Sequence, residues 1–427
     1  MGVLSDAIIR PAARLGATAQ NALEVARFGG LETGEQSVPY EIAAEQRNYT
    51  LRRYFPGTAA TGPPVLLIPP MMLSADVYDI SPAASAVSVL DQHGAHPWVV
   101  DFGAPEHLEG AAERTLSDHV VAVSDAVDRV RAFTGRDVHL GGYSQGGMFC
   151  YQAAAYRRSH GLASLIAFGS PVDTRGALPL GIPELLAVRG AGFLAAHVLP
   201  RQTLPAWASR AGFRALDPVK ALRRQIEFVM SLHNREALLP HERQRRFVEQ
   251  RGWVAWPGPA LADFVGQFFV DNRMLSGFVI ADRPVTLADI TLPVLTVVGE
   301  KDAIAPPPSV RAVRRAAPHA DVHELTLPAG HFGLVVGTVA ARTTWPAVAA
   351  WAQWCDEGVR LPDSIRSIDA DEPEPDADAT RPGAAVELAA GAALGAVRGV
   401  LGTTTRVAGI ARRMTEEAVA RVPRWPV

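Results

Sequence analysis

The stretch Val138-His139-Leu140-Gly141-Gly142-Tyr143-Ser144-Gln145-Gly146-Gly147 constrains this chain more than any other. An apolar β-run enters a Gly-x-Ser-x-Gly turn, and a helix-compatible segment, Met148 to Arg158, leaves it. A serine on so tight a strand-to-helix turn has its hydroxyl pushed out above the sheet. Its flanking Gly142 and Gly146 lack the Cβ that would collide where strand and helix nearly touch. The helix start also points backbone N–H groups at the same place, so negative charge forming beside Ser144 meets partial positive charge. That is the setting of an active nucleophile. The plainer reading, a glycine-rich turn with a spare serine, gives no reason for the strand before it or the helix after it.

The rest of the chain supplies the context such a turn needs. Pro64-Val65-Leu66-Leu67-Ile68-Pro69-Pro70 is a continuous apolar run of the kind buried on both faces of a parallel sheet. A helical stretch at 83–92, a strand at 97–102 and helical spacing from Leu116 to Phe133 (Val120, Val123, Val127, Val130) follow, then the elbow and a strand at 164–168. Two shorter β-like runs, 40–44 and 49–54, precede them. From Thr174 to about Ile290 the alternation stops, and a Pro-, Trp- and Phe-rich segment reads as helices separated by turns. An insertion above strand ends is where a lid sits. Alternation resumes with strands at 292–299 and 322–327 and helices at 309–317 and 345–357. The pattern predicts a mostly parallel, doubly wound α/β sheet with a large helical lid, 174–290, inside a domain spanning 36–360. Residues 1–35 read as a helical appendage, 361–383 as an acidic disordered linker, and 384–427 as an Ala/Gly-rich helical tail.

Composition narrows the partners. Of 427 residues 48% are apolar and 20% charged, and a net charge of −3 offers nucleic acid no basic surface. Two cysteines, Cys150 and Cys355, make neither a disulfide framework nor a metal-ligand spacing, so neither metal nor cofactor is expected. No basic n-region followed by an apolar h-region opens the chain, and no apolar run reaches membrane-spanning length. The cytoplasm is the expected compartment.

A serine needs a base that is itself oriented by a carboxylate, in the chain order serine, acid, histidine for this type of sheet. Of the twelve histidines, His331 follows a late strand in Leu327-Pro328-Ala329-Gly330-His331-Phe332-Gly333. His139 and His323 lie within β-runs, and His93, His96, His160 and His233 have no motif around them. Two aspartates qualify as the acid. Asp302 follows the 292–299 strand, and Asp173 follows the strand after the elbow helix; a turn or cap role is the alternative for either. Asp302 is preferred because its loop and that of His331 leave adjacent late strands. The oxyanion hole takes the N–H of Gln145 and one from the loop after the first long strand. Pro69 and Pro70 have none to give, so that donor is Met71 or Met72, with Met71 preferred.

These residues together resemble the polyhydroxyalkanoate synthase family, and most closely its shorter synthases that work with a second subunit. The resemblance runs through 64–70, Tyr78-Asp79-Ile80-Ser81-Pro82, Val99-Val100-Asp101-Phe102-Gly103-Ala104-Pro105 and the elbow block His139–Gly147. It continues in Gly169-Ser170-Pro171-Val172-Asp173, Phe268-Phe269-Val270-Asp271-Asn272-Arg273-Met274-Leu275-Ser276-Gly277, 299–306 and 329–333. It covers about 50–357, lid included, and implies an α/β-hydrolase fold with Ser144, Asp302 and His331 as the triad. One departure matters: the family's nucleophile is a cysteine, and here that position is Ser144. An oxygen ester is a less activated intermediate for chain growth than a thioester, but water or an alcohol still resolves it.

The function expected is therefore a serine acyl hydrolase or acyltransferase acting on lipid acyl esters or acyl-CoA thioesters, with coenzyme A entering as part of a substrate. The lid aromatics Phe213, Phe228, Trp253, Trp256, Phe264, Phe268 and Phe269 serve either an apolar acyl chain or the lid's own core. One alternative is a polyhydroxyalkanoate synthase that uses serine. Another is an inactive granule- or lipid-associated partner protein. The terminal helices are expected to serve docking, on a lipid inclusion or membrane surface or against a second copy or partner subunit.

Overall fold

A computed structural model describes residues 2–57, 61–174, 184–215 and 218–368 of the chain. Its strands are β1 (Tyr40–Glu45), β2 (Thr50–Tyr54), β3 (Pro64–Ile68), β4 (His96–Asp101), β5 (Val138–Tyr143), β6 (Leu162–Phe168), β7 (Phe278–Ile280), β8 (Arg283–Val285), β9 (Val294–Gly299), β10 (Val322–Leu327) and β11 (Ile365–Ser367). Nine of them form one sheet in the order β1-β2-β4-β3-β5-β6-β9-β10-β11, while β7 and β8 form a separate hairpin. From β4 to β10 every pairing is parallel, and the antiparallel pairings lie at the two edges. After β3 the chain goes to one side and after β5 to the other, so a crevice opens between the carboxyl ends of these two strands. The fold is that of an α/β hydrolase.

Every residue of β3 and β5 is buried, which is why their sequences are almost wholly apolar or small; the exception, His139 in β5, bonds Ser164 and Asp356. Helices α1 (Gly2–Phe28), α2 (Ala86–Gln92), α3 (Leu116–Thr134) and α4 (Gln145–Arg157) precede the lid. α3 and α4 pack together against the sheet, while α2 pairs with the late helix Trp345–Glu357. α3 starts on a reciprocal cap between Thr115 and Asp118 and stops at Gly135, whose left-handed conformation suits a residue without a Cβ.

The insertion between β6 and β9 contains α5 (Glu184–His197), α6 (Ala206–Ala215), α7 (Pro218–Ser231), α8 (Arg235–Arg246) and α9 (Gly258–Phe264), together with the β7–β8 hairpin. Its aromatic residues pack largely on one another. Phe264 lies 5.4 Å from Trp256, 5.2 Å from Phe268 and 5.5 Å from Phe269 between ring centres. Phe228 is capped by the Arg245 guanidinium at 4.1 Å. Of the two roles weighed for them, these contacts fit a core for the lid; the side chain of Phe213 lies outside the described residues.

Two boundaries differ from those expected. Residues 1–35 are not a free appendage: Asn21 Nδ2 donates to the Leu232 carbonyl at 2.6 Å, and Leu31 N–H donates at 2.8 Å to Glu242, a carboxylate only 1% exposed. Glu24 pairs with Arg235 of α8. The segment is stapled to the lid because the polar groups at its end complement those of α8. At the other end the domain does not stop at 360. β11 adds antiparallel to β10 through Leu325 opposite Ile365, and its Ile365 is buried. The remainder of the expected linker and the whole tail, 369–427, lie outside the described residues. No helix among the described residues is long and apolar enough to cross a membrane.

Candidate active site

The elbow is built as its sequence requires. Ser144 stands between β5 and α4 at φ 54°, ψ −119°, a strained setting for a residue with a Cβ. A Cβ at position 146 would lie 2.1 Å from the Ile68 carbonyl oxygen, so α4 can begin this close to β3 only on glycine. At the helix start the N–H of Gln145 finds no acceptor among the described residues, as expected for the first turn of a helix.

Three loops from the carboxyl ends of β5, β9 and β10 converge here. His331 Nδ1–H donates to Asp302 Oδ2 at 2.7 Å, and Nε2 accepts from the Ser144 hydroxyl at 2.9 Å. The other carboxylate oxygen of Asp302 accepts the N–H groups of Ile304 and Ala305 at 2.8 and 2.9 Å. Those two bonds fix the carboxylate and leave Oδ2 for the imidazole, which in turn sets the tautomer that presents a lone pair to Ser144. Asp302 is 3% and His331 7% exposed, so the relay is shielded from water. The Tyr143 ring packs 5.0 Å from the imidazole and confines it.

Asp173 is elsewhere. It accepts from Asn272 Nδ2 at 3.0 Å and pairs with Arg315 at 3.2 Å, which pins the first turn of the insertion to the α/β core. The N–H groups of the two methionines differ, and that of Met71, preferred from the sequence, is engaged. Met71 N–H donates to Gln145 Oε1 at 3.1 Å and is not free, whereas the N–H of Met72 has no acceptor among the described residues. The carboxamide of Gln145, 2% exposed, thus ties the loop after β3 to the elbow, and its Nε2 finds no partner among the described residues. The lid holds the same loop from above: Val254 N–H donates to the Met72 carbonyl at 3.0 Å and Ser74 N–H to the Gly252 carbonyl at 2.8 Å.

Gly169 packs against the relay, a contact that sequence reading did not single out. A Cβ there would meet Asp302 Oδ2 at 3.0 Å and His331 Nδ1 at 3.2 Å, at a φ of +54°. The residue after β6 must be small for the acid–base pair to sit over it. Its place in Gly169-Ser170-Pro171, straight after a buried strand, was the available signal. A cleft of about 560 Å³ at the base of the lid, lined by Gln267, Asp271, Arg273 and Phe278 among others, shares no residue with the relay.

Neither cysteine can stand in for Ser144. Burial pushes the Cys150 thiol well above its ordinary range, and Cys355 is pushed up to about 12, again by burial. Among the described residues no group of His, Cys, Asp and Glu is arranged to hold a metal ion.

No protein-family profile matches the chain. Among curated proteins it is similar to the poly(3-hydroxyalkanoate) polymerase subunit PhaC of Haloferax mediterranei, at 26% identity over 357 residues, which cover 82% of this chain and 70% of that protein. The subunit of the same name from Allochromatium vinosum is 26% identical over 301 residues, covering 67% and 80% respectively. Among solved structures, the monoacylglycerol lipase of Paleococcus ferrophilus aligns with 72% of this chain and 99% of its own at 16% identity, with a TM-score of 0.47.

Proposed function

We propose that this chain, an α/β-hydrolase-fold enzyme of acyl transfer similar to polyhydroxyalkanoate synthases, uses Ser144 as its nucleophile on a lipid acyl ester or acyl-CoA thioester. The observation that carries the reading is the continuous relay Asp302–His331–Ser144, at 2.7 and 2.9 Å. His331 takes the hydroxyl proton as Ser144 Oγ attacks the acyl carbonyl, and Asp302 stabilises the imidazolium. The N–H groups of Gln145 and Met72 receive the oxyanion; each such donor is worth about 10²–10³ in turnover. His331 returns the proton to the departing alcohol or thiol, leaving an oxygen ester on Ser144.

The second half separates this enzyme from the cysteine enzymes it resembles. Acyl transfer from a thioester to a serine hydroxyl is downhill. The resulting oxygen ester is less reactive toward a hydroxyacyl group than a thioester, yet His331 can activate water or a small alcohol against it. Release as free acid, or transfer to an alcohol, is the outcome this favours. The similarity to polymerase subunits keeps a second reading, polymerisation through Ser144.

One experiment distinguishes them. The purified protein is offered 3-hydroxyacyl-CoA, a simple acyl ester and triacylglycerol in parallel, and products are scored as free acid, transferred ester or polymer. Free acid or a small ester is expected. Sustained polymer from hydroxyacyl-CoA would establish the polymerase reading instead, and absence of turnover on all three would remove both.

A further inference from the structure

β3 and β5 pair in parallel, and Ile68 opposite Gly142 is their last pair. Beyond it the two chains part. β3 leaves through Pro69 and Pro70 to Met71 and Met72, and β5 turns into Ser144. The prolines have no N–H with which to continue the ladder, so something else must fix the spacing of this seam. Spacing matters here because one strand carries the nucleophile and the other delivers the oxyanion donor.

A third segment crosses the seam. Ala75–Tyr78 forms a short 3-10 turn capped by Ser74, whose hydroxyl accepts Asp76 N–H at 3.2 Å. From its end the Tyr78 side chain runs into the core, where it is fully buried and lies edge-on to the Trp345 ring at 6.0 Å. Its hydroxyl donates to the Ile68 carbonyl at 2.7 Å and accepts Tyr143 N–H at 3.1 Å. The phenol therefore binds the final residue of β3 and the residue immediately before the nucleophile. Burial drives its pKa well up, so the proton it donates stays in place throughout the working range of pH.

We propose that Tyr78 is a positioning residue for acyl transfer: its hydroxyl, bridging the Ile68 carbonyl and the Tyr143 N–H, sets the distance between Ser144 and the oxyanion-donor loop. This deepens the Ser144 reading and rests on it. Tyr78 acts through its neighbours, so its contribution belongs to the transition state, in which the oxyanion must meet both donors at once. Substrate affinity does not depend on that coincidence. A misplacement of about 1 Å at such a site costs about 100-fold in rate.

Tyr78→Phe keeps the ring and its contact with Trp345 while deleting the bridge. With a short water-soluble ester, kcat should fall about 10- to 100-fold and KM should change less than about threefold. The Ki of a trifluoromethyl ketone, which Ser144 attacks to form a tetrahedral adduct, should rise in proportion to the loss in kcat/KM. Trp345→Phe loosens the packing around the same ring but keeps the hydroxyl, so it should lower the melting temperature while leaving kcat and Ki nearly unchanged. The proposal is overturned if Tyr78→Phe keeps kcat within twofold, whatever its melting temperature. It is equally overturned if Tyr78→Phe does not fold and Trp345→Phe alone already loses turnover tenfold or more. Ser144→Ala separates this from the parent reading. Turnover surviving in Ser144→Ala sinks the nucleophile, whereas a dead Ser144→Ala beside a fully active Tyr78→Phe sinks only the role of Tyr78.

Discussion

Ser144 is held at a positive φ that costs a residue with a Cβ about 1–3 kcal/mol, and the packing around the elbow must hold it there. One of those contacts is Gly146 against Ile68, where a methyl group would stand 2.1 Å from a carbonyl oxygen. Gly146→Ala is therefore expected to destabilise the fold by about 1–3 kcal/mol and to cost most of the turnover, as thermal melts and an ester assay would record. The two aspartates are expected to behave differently. Asp302→Asn loses the acceptor that sets the His331 tautomer, and the serine-protease precedent for that change is about 10⁴-fold in kcat. Asp173→Asn weakens contacts to Asn272 and Arg315 and should cost at most about tenfold, consistent with a partly exposed pair. Circular dichroism on both variants excludes unfolding; an inert Asp173→Asn beside an active Asp302→Asn would show the acid to be misassigned. Ser144, Asp302 and His331, the residues proposed for the chemistry, were singled out in the sequence because each stands in a short motif directly after a strand. Gly169, Tyr78 and the Gln145 carboxamide were not. Their roles lie in contacts with residues distant in the chain or in which backbone N–H is already taken, and no local pattern encodes either.

At the scale of elements, legibility followed burial. β3, β5, β6, β9 and β10 are central and mostly buried, and β3, β6 and β9 accordingly read as largely apolar runs, while β5 and β10 carry the buried polar residues His139, His323 and Glu324. β11 has one buried residue of three and sits at the start of an acidic stretch, so its composition pointed to a linker. The attachment of α1 was not legible for a related reason: what holds it to the lid is polar. The carboxylate of Glu242 accepts Leu31 N–H at 2.8 Å and Arg245 at 2.7 Å, and Gln250 Nε2 donates to the Gly29 carbonyl at 2.9 Å. Deleting residues 1–35 removes one donor from a buried carboxylate, a loss of about 1–3 kcal/mol. The shortened protein should melt lower than the full chain and be cut faster by protease within 235–252. An unchanged melting curve and digestion pattern would mean that these contacts stabilise nothing. Because Gly252 and Val254 also bond the loop of Met72 and Ser74, α1, the lid and the oxyanion-donor loop form one connected path.

The molecule as a whole carries a pH signature separate from its chemistry. Burial lowers the pKa of His96 and of His119 to about 4, helped at His96 by Arg53, and both stay neutral in the folded state. The unfolded chain takes up these protons near pH 6.5, so between that pH and 4 it binds more protons than the folded protein does. Stability from this source is complete above about pH 6.5 and is lost as the pH falls toward 4. Melting temperatures should decline between pH 6.5 and 5, and His119→Gln should flatten that decline; a parallel decline in the variant would exclude His119 as a source. Chemistry and stability are thus testable apart, and the central claim is the chemical one: Ser144 carries the acyl group. Its most direct test is mass spectrometry of the protein after brief exposure to an alkyl fluorophosphonate, with the adduct mapped to a peptide. The account predicts one adduct, on Ser144, which is absent in Ser144→Ala and forms far more slowly in His331→Ala. An adduct on Cys150 or Cys355, or labelling that persists in Ser144→Ala, would contradict it.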